Sequence, residues 1–178
     1  MKTKLRRKLC GRMWVGTTIG ITDPFYEPNS IEECDFHTMQ MQPGTYACMI
    51  LAGKEWHEAW DTQPAQWEHR CWASMLYLDG FVPTTKARRQ ARQVGEIAVD
   101  AGTAGFFRTP CRNLDKLWYE LDEARRKAKA HNWEFVLNET DFVTTTGYGD
   151  GSYPVYAYYD ANGKIIGLEV RYINKGAY

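Results

Sequence analysis

Three aspartates in turns are the residues whose types and spacing come closest to a ligand site. Asp23 lies in TDPFY, Asp100 in VDAGTAGFF and Asp150 in GYGDGSYPVY. If these turns met at one end of a sheet, their carboxylates could bind a cation or the hydroxyls of a ligand. The simpler interpretation, which we favour, is that each carboxylate hydrogen-bonds the backbone of its own turn.

Glycine-rich turns would also let a small molecule approach the backbone closely. A site of this kind for a nucleotide-like ligand would use Asp100, Thr103, Tyr148 and Asp150, with the ring of Tyr148 stacked on the ligand. The same glycines also simply make hairpins. We therefore keep small-molecule binding as an alternative function.

The sequence lacks the local motifs of the common reaction classes. GxxxxGK[ST], GxGxxG and GxSxG are all missing, which excludes the P-loop, dinucleotide-binding and nucleophile-elbow patterns. The four histidines show neither HxH nor HExxH spacing, and the five cysteines form no CxxC pair. We expect reduced, mostly buried thiols, no metal, no cofactor, no catalytic residues and a protein that is not an enzyme.

Cations are grouped along the chain, although 22 lysines and arginines balance 22 acids. The residues that we expect to contact a partner are Arg6, Arg7, Lys8, Lys86, Arg88, Arg89 and Arg92, together with two tyrosines, Tyr156 and Tyr158. Clustered cations suit contact with phosphates, and exposed tyrosines stack on bases or fill the pockets of a protein. The alternative is a solvated basic face, with a solubilising tail at residues 1–12.

The elements that must position these residues are mainly strands. In the last forty residues, β-branched and aromatic runs separated by glycine-rich turns predict a three-strand meander. Asn162-Gly163 predicts a two-residue type I′ hairpin that pairs Val155 with Val170 and Ala157 with Leu168. That register places Tyr156 opposite Glu169 on a solvated face. A second hairpin is expected around the turn at residues 100–103.

Helical spacing of Leu114, Leu117, Trp118 and Leu121 predicts one main amphipathic helix over about residues 113–130. A shorter helix is expected within TTKARRQARQ. The predicted fold is α+β and mainly β, with antiparallel meander sheets that form a sandwich or a partly open barrel. We expect residues 1–12 to be a basic extension and residues 13–178 to be a single domain.

Four motifs give the chain a resemblance to a known family. GTTIGITDPFY, PGTYACMI, VDAGTAGFF and TGYGDGSYPVY resemble a bacterial and phage family of small domains of unknown function, with DAGTxxF and GxGDGxYPVY as the distinctive motifs. They cover about half of the chain. The basic N-terminus and KARRQARQ depart from the family pattern. The resemblance implies an intracellular, mostly β domain and supplies no catalytic residues.

These observations lead to three hypotheses for function. The first is a non-enzymatic interaction protein that binds a nucleic acid or a nucleoprotein machine, such as a phage or mobile-element inhibitor of a host defence nuclease. The second is the nucleotide-like small-molecule binder, and the third is an immunity-type protein that neutralises a toxin. The partner would thus be a protein, a nucleoprotein or a nucleic acid, and the sequence leaves the oligomeric state open.

Hydropathy predicts a cytoplasmic protein without a membrane partner. The charged start MKTKLRRKLCGR has too few uninterrupted apolar residues for a secretory signal. Charges or turn residues interrupt every other apolar run well before the ~20 residues that a membrane helix requires.

Overall fold

The structure, a computed structural model, describes residues 4–25, 37–59, 61–108, 114–128 and 135–173. Its strands are β1 (Arg6–Val15), β2 (Thr18–Thr22), β3 (His37–Gln40), β4 (Gly44–His57), β5 (Gln66–Leu78), β6 (Arg92–Val99), β7 (Thr103–Phe107), β8 (Phe135–Leu137), β9 (Asp141–Thr145), β10 (Gly151–Tyr159) and β11 (Ile165–Arg171). Its helices are α1 (Thr85–Arg89) and α2 (Leu114–Ala128). The predictions of a mainly β fold and of one main helix are confirmed.

The strands form two antiparallel sheets. The six-stranded sheet has the order β1-β4-β5-β11-β10-β6, and the five-stranded sheet has the order β3-β2-β7-β9-β8. The sheets pack face to face, because Ile21 and Phe106 of the smaller sheet share one buried core with Ile50, Leu76 and Val170 of the larger sheet. Of the two predicted arrangements, the sandwich is the one that forms.

A buried tyrosine joins the two sheets through hydrogen bonds. The hydroxyl of Tyr172 lies 2.8 Å from that of Ser74 in β5 and 2.9 Å from that of Thr144 in β9. Because a buried hydroxyl without a partner is costly, this pair of bonds fixes how the sheets sit on each other.

The outer faces of both sheets are covered. Leu121 of α2 is buried against Phe107, Val136 and Val143 on the outside of the five-stranded sheet. On the outside of the six-stranded sheet, Phe81 packs its ring against Tyr77 and Tyr158 at centroid distances of 5.8 Å and 5.6 Å. The segment that follows β5 and contains α1 therefore lies over the larger sheet.

The basic segment that begins at Arg6 belongs to the six-stranded sheet. β1 pairs with β4 from Arg6 to Val15, so the expected boundary at residue 12 falls inside a strand. Met13 and Val15 of β1 are buried in the core. The cations that precede them continue the same strand toward its N-terminal end.

The predicted hairpins around the two glycine-rich turns are wrong. β6 pairs with β10 in the larger sheet, whereas β7 pairs with β2 and β9 in the smaller one, so the turn at 100–103 crosses between sheets. β9 and β10 likewise lie in different sheets. Both turns are corners of the sandwich, because each strand that follows them finds its partners across the core.

The β10–β11 hairpin confirms the predicted register but not the predicted turn. Val155 pairs with Val170 and Ala157 with Leu168, while a bulge shifts Tyr159 to face Ile165. Within loop 160–164, only Gly163 has a positive φ, at 76°. The loop is therefore longer than a type I′ turn. Its Asp160 carboxylate accepts 2.8 Å bonds from the backbone N–H groups of Asn162 and Lys164.

Candidate interaction surfaces

The short helix α1 carries the second group of cations and is built by local rules. Thr84 caps its start, because the threonine Oγ1 accepts a 3.1 Å bond from the backbone N–H of Ala87. Gln90 ends the helix. Arg7 of β1 donates a 3.1 Å bond to the carbonyl of Pro83, which attaches this segment to the edge of the larger sheet.

Arg88 is an internal residue, which corrects its assignment to a partner surface. Its side chain is 6% exposed, and its guanidinium donates through Nε (3.1 Å) and Nη2 to Oε1 of Glu169, which is fully buried. β11 brings this glutamate under α1. A buried charge must be paired and hydrogen-bonded to be tolerated, so α1 is fixed to the sheet by an ion pair.

Tyr158 is also internal, although sequence alternation predicted it on a solvated face. Its hydroxyl donates a 2.5 Å bond to Oε2 of Glu169. Burial, and after it the nearby carboxylate of Glu169, raises the pKa of Tyr158 to about 12. The face of the sheet that was predicted to be solvated is therefore buried, because the segment that contains α1 covers it.

Arg171 completes this buried cluster and occupies one side of Tyr156. Its guanidinium carbon lies 3.7 Å from the centroid of the Tyr156 ring. Its Nη2 donates to the carbonyl of Arg88 at 2.6 Å and to Glu169 at 3.2 Å. Burial alone would lower the pKa of Arg171, but the charge of Glu169, that of Tyr158 and the hydrogen bonds to both side chains together outweigh it, so the pKa is raised. Tyr156 is half-buried and stacked on this cation.

The remaining cations of this group face solvent. Lys86, Arg89 and Arg92 are exposed, and within the described residues their side chains make no ion pair or hydrogen bond. Lys86 and Arg89 are three residues apart on α1 and therefore lie next to each other on its surface. Arg88 points to Glu169, whereas Lys86 and Arg89 are exposed to solvent.

The N-terminal cations divide between the two sides of β1. Arg6 and Lys8 are exposed, and Arg7 is half-buried at its bond to Pro83. Lys8 Nζ lies 5.3 Å from the ring centroid of Phe135 in β8, on the side of the smaller sheet. Alternation along a strand places Arg6 with Lys8 and directs Arg7 to the α1 side.

The aspartate turns do meet, but the first carboxylate is used inside the protein. Asp23 accepts hydrogen bonds from the backbone N–H groups of Phe25, Asp100 and Ala101 and from the hydroxyl of Thr103, at 2.7–3.1 Å. Asp23 is buried and so is Thr103. The favoured interpretation holds for Asp23 and extends further, since this carboxylate also organises the turn at Asp100.

The four residues of the small-molecule hypothesis lie in or near the two glycine-rich corners. The Thr146 N–H donates a 2.9 Å bond to the carbonyl of Gly102, which joins the two glycine-rich corners. Asp100 and Asp150 are exposed there. Tyr148 is 43% exposed, and its hydroxyl donates a 2.5 Å bond to Glu55. The corners thus bring Asp150 and Asp100 into one region, whereas the Thr103 hydroxyl is buried beneath it.

Through its bond to Glu55, Tyr148 contacts a polar cluster on β4 and β5 that the sequence did not predict. Arg70 of β5 donates through Nε to Nε2 of His57 at 2.9 Å, through Nη2 to Glu68 at 2.6 Å, and through Nη1 to the carbonyl of Gly147. Glu55 lies opposite Glu68 across the β4–β5 pair. These charged residues alternate along β4 and β5, which would place them on one face of the strand pair. That pattern becomes informative only when the register between β4 and β5 is known.

The opposite face of this strand pair carries exposed aromatic residues. Trp56 and Trp67 face each other across the strands, with ring centroids 5.6 Å apart. They are 45% and 37% exposed. Trp56 Nε1 donates a 3.0 Å bond to Glu58. Trp60, between the two strands in sequence, lies outside the described residues.

The thiols and acids of the described ranges offer no prepared metal site or reactive cysteine. No group of three metal-ligating side chains occurs there. Burial raises the pKa of Cys10 to about 12 and also raises that of Cys48, which disfavours the thiolate. Cys34 and Cys111 fall outside these ranges. None of the helices in the described part has the length and apolar character needed to cross a bilayer.

Comparison with known proteins gives one partial match. Residues 94–170 match the model of a family described as "Protein of unknown function (DUF4241)". This stretch runs from β6 to β11 and contains the glycine-rich corners and Glu169, while β1, β4, β5 and α1 precede it. No curated protein and no solved structure matches the chain.

Proposed function

We propose that this protein is a non-enzymatic binding protein that contacts the phosphate backbone of a nucleic acid, either free or within a nucleoprotein complex. The contact surface is formed by Lys86, Arg89 and Arg92. Arg6 and Lys8 of β1 point to the side of the smaller sheet, so they would make a separate contact with the partner. A small phage or mobile-element protein that blocks a host defence nuclease would be one protein of this kind.

The observation that carries the proposal is that the cations of α1 other than Arg88 are exposed and unpaired within the described residues. Residues 84–92 contain four cations and no acid, and Arg88 alone is paired with a buried carboxylate. Solvent-exposed cations in a group without neighbouring acids provide what phosphate contact needs, because each neutralised phosphate releases condensed counterions. The buried Arg88–Glu169 pair holds the group in one place on the sheet.

Charge reversal tests the proposal. The variant Lys86→Glu, Arg89→Glu, Arg92→Glu is compared with the wild type for binding to a fluorescein-labelled DNA duplex of about 20 base pairs, by fluorescence anisotropy at low salt. A matched control carries Lys54→Glu, Lys127→Glu and Lys164→Glu, three exposed lysines on β4, α2 and the β10–β11 loop. Both variants change the net charge by the same amount.

The proposal predicts at least a tenfold loss of affinity in the α1 variant and a change of less than about threefold in the control. Equal losses in both variants would show that only total charge matters. A wild-type protein that does not bind the duplex at low salt would contradict phosphate contact itself. The small-molecule and toxin-neutralising alternatives stay predictions, and a thermal shift with nucleotides or co-purification with a toxin would favour them.

A further inference from the structure

The β4–β5 hairpin extends beyond its neighbours in the sheet and forms a two-stranded arm. β1 pairs with β4 only as far as Ala52, and β11 pairs with β5 only as far as Ala73. Residues 53–57 and 66–70 pair with each other. We call these two segments, with the turn residues 58–59 and 61–65, the arm.

A two-stranded ribbon is marginally stable by itself, so the position of the arm needs other contacts. One face provides them. Arg70 bonds His57, Glu68 and the carbonyl of Gly147, and its guanidinium carbon lies 5.5 Å from the centroid of the Tyr148 ring. This polar face therefore attaches the arm to the glycine-rich corner of the sandwich.

The other face of the arm bears Trp56 and Trp67. Their rings are inclined at 60° to each other, so they form an open angle rather than a flat stack. Glu58 is exposed beside them, and one of its carboxylate oxygens accepts the indole N–H of Trp56. Two indole rings and a carboxylate therefore lie together on one face of the arm, while the opposite face contacts the glycine-rich corner.

We propose that Trp56, Trp67 and Glu58 form a binding site for a cationic side chain, lysine or arginine, of a partner protein. Indole is the aromatic side chain that attracts cations most strongly through its ring quadrupole. The Glu58 carboxylate adds a charge-assisted hydrogen bond for the same ammonium or guanidinium group.

Charge decides between this ligand and the other ligands that tryptophans accept. Along β4 the exposed cation Lys54 lies on one side of Trp56 and Glu58 lies on the other, and only Glu58 is hydrogen-bonded to the indole. A nucleic acid base stacked on the two rings would bring its phosphates next to Glu58. Like charges disfavour that arrangement. A purely apolar ligand would gain nothing from the carboxylate. A cation on the rings is favoured by both the indoles and Glu58.

This inference uses different residues from the phosphate contacts of α1, so either proposal can fail alone. A nucleoprotein offers both kinds of group, since proteins that bind nucleic acids present lysines and arginines. The arm would then contact the protein component while α1 contacts the phosphates.

Nuclear magnetic resonance of the full chain tests the site through its indole N–H signals, assigned with tryptophan-to-phenylalanine variants. The probes are N-acetyl-arginine methylamide, the norleucine equivalent and adenosine monophosphate. The arginine probe should shift the Trp56 and Trp67 signals saturably but with weak affinity, because an exposed cation–π contact is a weak interaction. Trp14, which is 55% exposed on β1, is the internal control and should not shift.

Glu58→Gln keeps an oxygen for the Trp56 N–H but removes the charge, so it should weaken arginine binding by about threefold or more. Glu139→Gln, at an exposed glutamate of the β8–β9 turn, should leave it unchanged. Equal shifts with norleucine, tighter binding of adenosine monophosphate, or full arginine affinity in Glu58→Gln would each overturn the proposal.

Discussion

The guanidinium of Arg88 donates two hydrogen bonds to the carboxylate of Glu169, and both side chains are buried between α1 and the six-stranded sheet. This pair separates the cations of α1 into one that is internal and others that face solvent. It also joins α1, which precedes the stretch matched by the family model, to β11, which lies within it.

Breaking that pair should cost far more than breaking an exposed one. Arg88→Met leaves Glu169 buried without its main partner, and we expect the free energy of unfolding to fall by about 3–5 kcal/mol. Arg126→Met, which removes an exposed i,i+4 partner of Asp122 on α2, should cost no more than about 0.5 kcal/mol. Urea unfolding followed by circular dichroism measures both, and equal costs would show that the buried pair contributes nothing special.

The carboxylate of Asp23 should be essential for the corner that joins β6 to β7. In the wild type, the backbone N–H groups of Asp100 and Ala101 donate to Oδ2 of Asp23. In Asp23→Asn, an NH2 group replaces one carboxylate oxygen, so donors would face donors. We expect a loss of about 2–4 kcal/mol, since unsatisfied buried donors cost about 1–3 kcal/mol each. Asp100→Asn is the control, because that side chain is exposed. Similar thermal midpoints for the two variants would rule out this role for Asp23.

Stability should fall steeply at alkaline pH. Burial raises the pKa of Tyr158 and that of Tyr46 from 10 to about 12, so the folded state keeps protons that the unfolded state has lost. The contribution is fully present below pH 10 and is lost as the pH rises toward 12. Each such tyrosine should lower the unfolding free energy by about 1.4 kcal/mol per pH unit in this window.

Tyr158→Phe isolates one of these contributions. The variant should show a shallower decline of unfolding free energy between about pH 10 and pH 12, measured by urea unfolding at a series of pH values. Its stability at neutral pH should also be lower, because Glu169 loses a hydrogen-bond donor. An identical slope in the variant and the wild type would be incompatible with a raised pKa at Tyr158.

Two neighbouring glycines should respond differently to alanine. A Cβ at Gly147 would lie 2.4 Å from the carbonyl oxygen of Cys71, so Gly147→Ala forces the backbone apart and should cost about 3 kcal/mol or more. A Cβ at Gly149 would meet no atom within 4 Å. Only the positive φ of +84° disfavours alanine there, so Gly149→Ala should lower the free energy of unfolding by about 1–2 kcal/mol. The difference in unfolding free energy checks whether the corner is closely packed against β5.

The sequence predicted the elements that local patterns determine. Helical spacing located α2, and alternation gave the pairing of Val155 with Val170. It failed where partners are distant along the chain, because a glycine-rich turn looks the same whether it closes a hairpin or crosses between sheets. The burial of Arg88 and Tyr158 was missed for the same reason: nothing local indicates that α1 folds back over Glu169.

The arm shows a different limit. Glu55, His57, Glu68 and Arg70 are near one another in the sequence, yet their grouping depends on the β4–β5 register and on Tyr148 from a distant turn. Alternation could have separated the tryptophan face from the charged face only if both segments had been recognised as paired strands.

The salt dependence of DNA binding tests the central claim most directly, because it counts phosphate contacts. We expect the logarithm of the wild-type association constant to fall linearly with the logarithm of salt concentration. In the variant Lys86→Glu, Arg89→Glu, Arg92→Glu, the magnitude of that slope should decrease by about 0.9 for each lost contact, or about 2.7 in all. The control variant Lys54→Glu, Lys127→Glu, Lys164→Glu should keep nearly the wild-type slope. An unchanged slope in the α1 variant would mean that these three cations do not contact phosphates.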